Sequence, residues 1–305
     1  MDTLISKEIN FIEERGERRE EKGKRRDERG ERKDERGEIL RVLNSQFSIF
    51  NFQFVMRYFM HLAYRGEPFH GWQSQPNAVS VQSTIEDALS IILRTPIKIV
   101  GAGRTDAGVN AHSMVAHFDV EKPIEKPDAI VRGLNSLVGH DIAIYSLTPV
   151  HDDAHARFDA TSRTYHYYAH SQKSPFDYPL SWQAPVSLDY EKMNEAAKLL
   201  LETSDFTSFA KLHADNKTNI CRVTQAEWKP LGDGRWVFVI TADRFLRNMV
   251  RAVVGTLVEV GRGKISIEEF KNIIDEKDRC SAGTSMPGHA LFLWDVKYPY
   301  WDSSK

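Results

Sequence analysis

The stretch GAGRTDAGVNAH, Gly101–His112, places a single carboxylate, that of Asp106, in a run of small residues. Three glycines and three alanines surround it, and Arg104 stands two positions before it. Small neighbours let a large planar partner approach the backbone, so that the carboxylate can project into a cleft. A tight turn over Gly103–Asp106, in which Asp106 bonds its own backbone, is the alternative. The stretch is not a phosphate-binding loop, because it lacks the Walker lysine and the GxGxxG spacing.

The segments around this stretch carry both strand and helix patterns. Helical spacing of apolar residues, with a cap at Ser80 and a stop at Pro96, predicts the first helix. Further helices are predicted over Pro127–Val138, Tyr190–Glu202, Phe245–Gly261 and Ile267–Ile274. Strands are predicted over Ile97–Gly103, Ser113–Val120 and Arg163–His170, and in VMRYFMHLAY, DIAIYSLTPV and ALFLWDVKYP. A hairpin is predicted over Cys221–Ala242, with its turn at Gly232-Asp233-Gly234. We predict an α+β protein whose two similar halves, 55–155 and 156–305, meet near residue 155.

Arg251 is a charge inside an otherwise apolar predicted helix that ends at Gly261, in the place of a C′ glycine. A buried arginine needs an anionic partner, and the lone Asp106 would suit it. The alternative is an arginine that extends to the surface. Arg247, one turn earlier, is expected to face outward, where it can contact phosphate.

Tyr165 is one of three tyrosines in four residues of RTYHYYAH. Packing in the core or on an edge strand is one interpretation, and stacking against a base is the other. His112 and His117 lack a third ligand nearby, so they are interpreted as structural. No serine or cysteine lies in a nucleophile motif.

Composition limits the classes of partner and compartment. The formal net charge is −2, which does not by itself indicate a nucleic-acid partner, although a local basic surface is compatible with it. The only cysteines, Cys221 and Cys280, make neither a disulfide scaffold nor a zinc site, which favours the cytoplasm. No apolar run reaches the length of a membrane span, and the N-terminus lacks the pattern of a signal peptide.

Residues 1–54 form an extension of unusual composition. Its glycines recur every seven residues from Gly16 to Gly37, among 11 basic and 11 acidic residues from Glu13 to Glu38. No position of this heptad is apolar, so a coiled coil has no seam to bury. We predict a disordered, dispensable extension, or a chain whose translation really begins at Met56. A mixed-charge tail that binds RNA is the third interpretation.

The quoted stretch resembles the signature loop of the tRNA pseudouridine synthase A family (TruA). Other segments match the family in the same order, from about residue 57 to residue 299: HGWQSQP, SVQSTIEDAL, GLNSL, HARFDATSRTYHY, DFTSFAK, FLRNMVRAVVGTLVEVGRGK and AGTSMPGHALFLWDVKYP. The resemblance implies the pseudouridine synthase fold, a mainly antiparallel sheet flanked by helices with a central cleft between two halves. It also implies an isomerase that converts uridine to pseudouridine at positions 38–40 of the tRNA anticodon stem-loop, without cofactor or metal.

The resemblance also assigns roles to individual residues. It makes Asp106 the catalytic aspartate, with Arg104 holding RNA and the flipped nucleotide. It makes Tyr165 the tyrosine that packs against the target base, and Arg251 the partner that keeps Asp106 ionised and oriented. A homodimer that shares a tRNA-binding surface is implied as well. The sequence departs from the family at Asn110, where histidine is usual, which puts a local contact in doubt.

Two other classes of function stay open on the sequence. A tRNA-binding protein without catalysis has no need for Asp106, Tyr165 and Arg251 together. A carboxylate-dependent hydrolase of nucleotides would need a second carboxylate or a metal cluster near Asp106, and Asp119, beyond a strand, is a poor candidate.

Overall fold

The structure is a computed structural model that describes residues 55–185, 187–212 and 217–302 of the 305-residue chain. These residues belong to one compact unit, Val55–Lys305. The charged repeat of the first 54 residues lies outside the described residues, so the predictions about that extension stay predictions.

The described residues form nine strands and five helices. In chain order these are β1 (Met56–Tyr64), α1 (Val81–Leu93), β2 (Val100–Gly101), β3 (Asn110–Val120), α2 (Pro127–Leu137), β4 (Ile142–Val150), β5 (Ser162–His170), β6 (Trp182–Gln183), α3 (Tyr190–Glu202), β7 (Val223–Gly232), β8 (Arg235–Ala242), α4 (Met249–Gly261), α5 (Ile267–Glu276) and β9 (Leu291–Lys297). Short 3₁₀ turns occupy Thr207–Phe209 and Gly288–Ala290. The α+β class predicted from the sequence is confirmed.

All nine strands join one mixed sheet whose central order is β4-β1-β3-β9-β5-β8-β7. Most neighbours are antiparallel, but β3 and β9 are parallel and pair at only two positions, Asn110↔Phe292 and Ala111↔Leu293. Farther along β3, the short β2 pairs with Ala116 and His117. The loop from β2 to β3, which is the quoted stretch, therefore lies where the pairing between β3 and β9 stops.

Two hydrophobic clusters fill the interior. One combines α1, α2 and the strands from β1 to β4 with the end of β9, and its members include Leu62, Ile85 and Leu293. The other surrounds α3, α4 and α5 and includes Phe209, Phe238 and Leu257. Tyr165 of β5 packs against both clusters. The boundary near residue 155 stays a prediction, and β9 contributes residues to both clusters.

The structure differs from the predicted elements at two ends. The prediction of a helix from Phe245 is wrong over its first turn, because Asn248 has a φ of 66° and α4 begins only at Met249. A left-handed residue cannot continue a right-handed helix, and asparagine tolerates that conformation. At the other end, Gly261 is still helical, and Gly263 is the glycine with a left-handed φ of 68°.

The prediction of a strand over Ile97–Gly103 is wrong outside Val100–Gly101. The backbone N–H of Ile99 donates to the buried carboxylate of Glu86 on α1 instead of to a neighbouring strand, at 3.1 Å. The predicted hairpin is confirmed, because β7 and β8 pair through a two-residue turn in which Asp233 and Gly234 both have positive φ. That conformation is typical of type I′ turns.

Candidate active site

The main chain reverses direction directly after Asp106. The N–H of Val109 donates to the carbonyl of Asp106 at 3.1 Å, and Gly108 has a φ of 75°. A positive φ at the third residue of such a turn is the type II pattern, which favours glycine. This turn runs from Asp106 to Val109 and is not the turn over Gly103–Asp106 that the sequence offered as the alternative. The carboxylate of Asp106, however, points away from that turn to two arginines.

Distant segments support this loop closely. The Tyr64 hydroxyl and the Thr105 side chain share a buried hydrogen bond of 2.8 Å, and the N–H of Trp72 donates to the Thr105 carbonyl at 3.2 Å. A Cβ on Gly71 would collide with that same carbonyl, and one on Gly288 would lie 2.8 Å from the carbonyl oxygen of Ala107. The absence of side chains at these glycines lets the supporting segments reach the loop backbone.

Asn110 joins the end of the loop to two other segments. Its side chain, of which 1% is exposed, accepts from the N–H of Gly66 at 2.8 Å and donates to the carbonyl of His289 at 2.7 Å. A second, longer contact reaches the carbonyl of Leu291. The amide thus supplies both a donor and an acceptor at the point where β3 and β9 pair. The local contact that was in doubt because Asn110 replaces the usual histidine is therefore a set of three hydrogen bonds.

The Asp106 carboxylate lies between two guanidinium groups. The Nε of Arg247 is 3.3 Å from Oδ1, and the Nη1 of Arg251 is 3.5 Å from Oδ2. The side chain of Asp106 is 22% exposed, so it remains partly accessible. The structure thus brings the predicted pair of Arg251 and Asp106 together. It adds Arg247, whose contact the sequence analysis missed because the chain was expected to be helical there.

Arg251 occupies a rigid position on α4. Its Nε donates to the carbonyl of Met286, and its own carbonyl accepts from the N–H of Met286 at 3.0 Å. The segment carrying Met286 lies directly on the helix, because Gly255 and Gly283 leave no room for a Cβ at their contact. The side chain of Arg251 is 22% exposed and does not extend into solvent. The alternative of an arginine that extends to the surface is therefore wrong.

Tyr165 lies on β5 opposite Leu293 of β9 and Ile240 of β8. Its ring contacts Phe245 edge to face, with centroids 5.0 Å apart. Burial raises the pKa of the Tyr165 phenol to about 12; Arg163 opposes this shift and the charge of Asp106 adds to it. Tyr165 therefore remains a neutral phenol at physiological pH, suited to packing and hydrogen bonding rather than to accepting a proton.

Two further arginines lie in the loop or beside it. Arg104 is exposed and makes no ion pair or hydrogen bond with its side chain among the described residues. Arg163, which the sequence analysis did not single out, donates to the carbonyls of Ala102 and Asp243 at 3.1 and 2.8 Å. Burial lowers the pKa of Arg163, which forms no ion pair with a carboxylate among the described residues. Its hydrogen bonds tie the beginning of the loop to the segment that leads toward Arg247.

The histidines interpreted as structural lie in aromatic or hydrogen-bonded surroundings. His112 stacks on Trp294, with centroids 4.1 Å apart, and His117 accepts from the N–H of Ala156. In the described part of the chain, no three His, Cys, Asp or Glu side chains are grouped so as to hold a metal ion. Asp119, the other carboxylate considered, is held by Arg57 in a two-point ion pair. Among the helices of that part, none is both long and apolar enough to cross a membrane.

Comparison with known proteins identifies related sequences over the same part of the chain. A family described as tRNA pseudouridine synthase matches residues 60–159 and 196–299. A tRNA pseudouridine synthase A of Parabacteroides distasonis is 60% identical over 243 residues, which cover 80% of this chain and 96% of the relative. The protein of that name in Porphyromonas gingivalis is 58% identical over 246 residues, covering 80% and 97%. That of Bacillus subtilis is 38% identical over 248 residues, covering 80% and 99%.

Proposed function

This chain belongs to the tRNA pseudouridine synthase family, and we propose that it converts uridine in tRNA to pseudouridine. The observation that supports this most directly is the Asp106 carboxylate, held between Arg247 and Arg251 beside Tyr165. A partly buried carboxylate with cationic neighbours suits attack on a sugar carbon without a metal.

The proposed reaction is an isomerisation. The N1–C1′ glycosidic bond breaks, the uracil turns, and C5 forms the new bond to C1′ while its hydrogen is released as a proton and N1 gains one. Asp106 starts this sequence either as a nucleophile at C1′ or as a base that assists formation of a glycal. In both mechanisms the carboxylate must be ionised and correctly oriented. The fixed guanidinium of Arg251 holds it in that orientation.

The uridine has to leave its stack before its ribose can reach Asp106. The bare loop around Asp106 leaves space for a flipped nucleotide, and Tyr165 offers an aromatic edge beside it. Arg104, which is exposed and unpaired among the described residues, is suited to hold the RNA backbone. The proposed substrate is the anticodon stem-loop of tRNA at positions 38–40, as the resemblance implies.

The proposal includes a homodimer in the cytoplasm. Two adjoining surface grooves support the dimer: both are lined by Leu180 and Phe292, and one of them also by Phe176. Phe176 is 94% exposed and Tyr178 is 65% exposed, which is unusual for large apolar side chains that make no contact with a partner. A second copy of the chain is the proposed occupant of this surface.

The test is tritium release from unmodified tRNA labelled at uridine C5, using the full-length chain. The wild type should release tritium, and Asp106→Asn should bind the tRNA without release. Asp119→Asn is the matched control, because it removes a paired carboxylate of the same sheet and should leave release intact. Release by the Asp106 variant would refute the role of that residue. Binding without release by the wild type would favour a non-catalytic RNA-binding protein.

A further inference from the structure

The two arginines that contact Asp106 differ in how firmly they are held. Arg251 has a second partner, the Met286 carbonyl, and its side chain is 22% exposed. Arg247 is 62% exposed, and among the described residues Asp106 is the only hydrogen-bond or ion-pair partner of its side chain. One guanidinium is therefore built into the protein, and the other lies on the solvent side of the carboxylate.

The backbone at Arg247 is fixed, although its side chain has only the contact with Asp106 among the described residues. The carbonyl of Arg247 accepts from the N–H of Lys211 at 3.1 Å. The next residue, Asn248, has a left-handed φ and donates from its side chain to the hydroxyl of Ser285 at 2.6 Å. The guanidinium of Arg247 can thus change partner without a movement of the main chain.

The contact between Arg247 and Asp106 is also weak for an ion pair. Its single distance of 3.3 Å exceeds the 2.7–2.9 Å that is usual for charge-assisted hydrogen bonds. In the same protein, Arg57 holds Asp119 by two bonds of 2.7 Å each. The contact of Arg251 with Asp106 is longer still, at 3.5 Å, so distance does not distinguish the two arginines. Exposure does, because a single long contact at an exposed site contributes little to stability and is easily exchanged.

Oδ1 of Asp106 is contacted by the more exposed of the two arginines, because the side chain of Arg247 is 62% exposed and that of Arg251 is 22% exposed. A ribose that approaches Asp106 on the side of the more exposed arginine would displace Arg247 from Oδ1. RNA brings phosphates into the same space, and a guanidinium binds phosphate well because its planar donors match the phosphate oxygens.

We propose that Arg247 exchanges partners when RNA binds: it leaves Oδ1 of Asp106 and pairs with a phosphate next to the flipped nucleotide. This inference rests on the proposed function. Arg247 holds the carboxylate in the free protein and contributes to RNA affinity in the complex. Arg251 keeps Asp106 oriented throughout.

The test compares Arg247→Gln with the wild type and with the matched control Arg262→Gln, which removes an arginine that pairs with Glu259 at the far end of α4. Binding of unmodified tRNA is measured by filter retention at several salt concentrations, together with KM and kcat from tritium release. The Arg247 variant should raise KM roughly tenfold while kcat stays within about threefold. The slope of its binding constant against salt concentration, on logarithmic axes, should correspond to about one phosphate contact fewer than in the wild type. Arg262→Gln should match the wild type.

A second comparison uses binding alone and so does not depend on catalysis. If Arg247 exchanges partners, Arg247→Gln should weaken tRNA binding in the Asp106→Asn background at least as much as in the wild type. A lower kcat with KM and salt dependence unchanged would overturn the inference and make Arg247 a residue that only positions Asp106. Failure of the wild type to release tritium would instead count against the proposed function.

Discussion

The Nη1 atom of Arg251 on α4 lies 3.5 Å from Oδ2 of Asp106, which belongs to the loop between β2 and β3. The two side chains come from opposite halves of the chain, and each is 22% exposed. Since Met286 fixes Arg251 at both its Nε and its carbonyl, the C-terminal half of the chain places a guanidinium beside a carboxylate that the N-terminal half supplies.

Replacing Arg251 by glutamine should lower kcat about 100-fold or more, because a fixed charge beside the reacting group is lost. Measured by tritium release under saturating tRNA, Arg251→Lys should recover only part of the rate, since a single ammonium cannot bond the Met286 carbonyl and lie beside Asp106 as the guanidinium does. Binding of tRNA by both variants should remain close to that of the wild type. A fall in affinity with kcat unchanged would contradict the assigned orientation role.

Tyr165→Phe should keep most of the activity, whereas Tyr165→Ala should lose about 10- to 100-fold in kcat/KM, the range expected for loss of one base-stacking contact. Because burial raises the pKa of this phenol to about 12, its hydroxyl does not titrate between pH 6 and pH 9. The pH profiles of the wild type and Tyr165→Phe should therefore have the same shape in that range. A phenylalanine variant as inactive as the alanine variant would show that the hydroxyl is required.

Asn110→Asp should destabilise the fold by about 1–3 kcal/mol and lower kcat, because the new carboxylate cannot donate to the His289 carbonyl. Asn194 offers a matched control: its amide makes the same two-way bond to the backbone of Trp228, away from the loop. Asn194→Asp should lose stability, measured by urea unfolding, with kcat unchanged. Equal kcat values for the two variants would argue that Asn110 does not position the loop.

The buried His117 predicts a loss of stability on acidification. Burial lowers its pKa from 6.5 to about 4, so the unfolded chain takes up a proton between these values while the folded chain does not. The stability that results from this pKa difference is present above pH 6.5 and is lost as the pH falls toward 4. Between pH 7 and pH 5 the free energy of unfolding should fall by roughly 1–2 kcal/mol. His117→Asn keeps an acceptor for Ala156 but cannot titrate. Urea unfolding at both pH values should show a smaller pH effect in this variant; an unchanged effect would exclude His117 as the source.

The exposed ring of Phe176 tests the proposed homodimer. Sedimentation should give a dimer for the wild type and a shift toward monomer for Phe176→Asp, because a charge placed in an apolar interface lacks a partner. Phe158, which is 74% exposed and lines neither groove, is the control. A wild type that sediments as a monomer would refute the dimer, and equal effects of the two substitutions would move the interface away from Phe176.

Much of the fold could be predicted because local patterns agree with it. Helix α3 begins and ends where apolar spacing predicted, and α1 has Ser80 as its N-cap, with its side chain accepting from Ser83. The errors arose where hydrogen bonds to distant residues replaced local ones. The N–H of Ile99 bonds to Glu86 on α1, and the left-handed Asn248 is held by Ser285.

The sequence by itself determined the alternation of strands and helices, the family, and the candidates Asp106, Tyr165, Arg104 and Arg251, because these depend on spacing and on motifs within continuous segments. Only the tertiary structure decided that β3 and β9 pair at two positions and then stop, that Asn110 joins three segments there, and that Arg247 also contacts Asp106. These relationships join residues far apart in the chain. No periodicity within a segment specifies them, since they depend on how the packed halves and the turn at Asn248 direct each side chain.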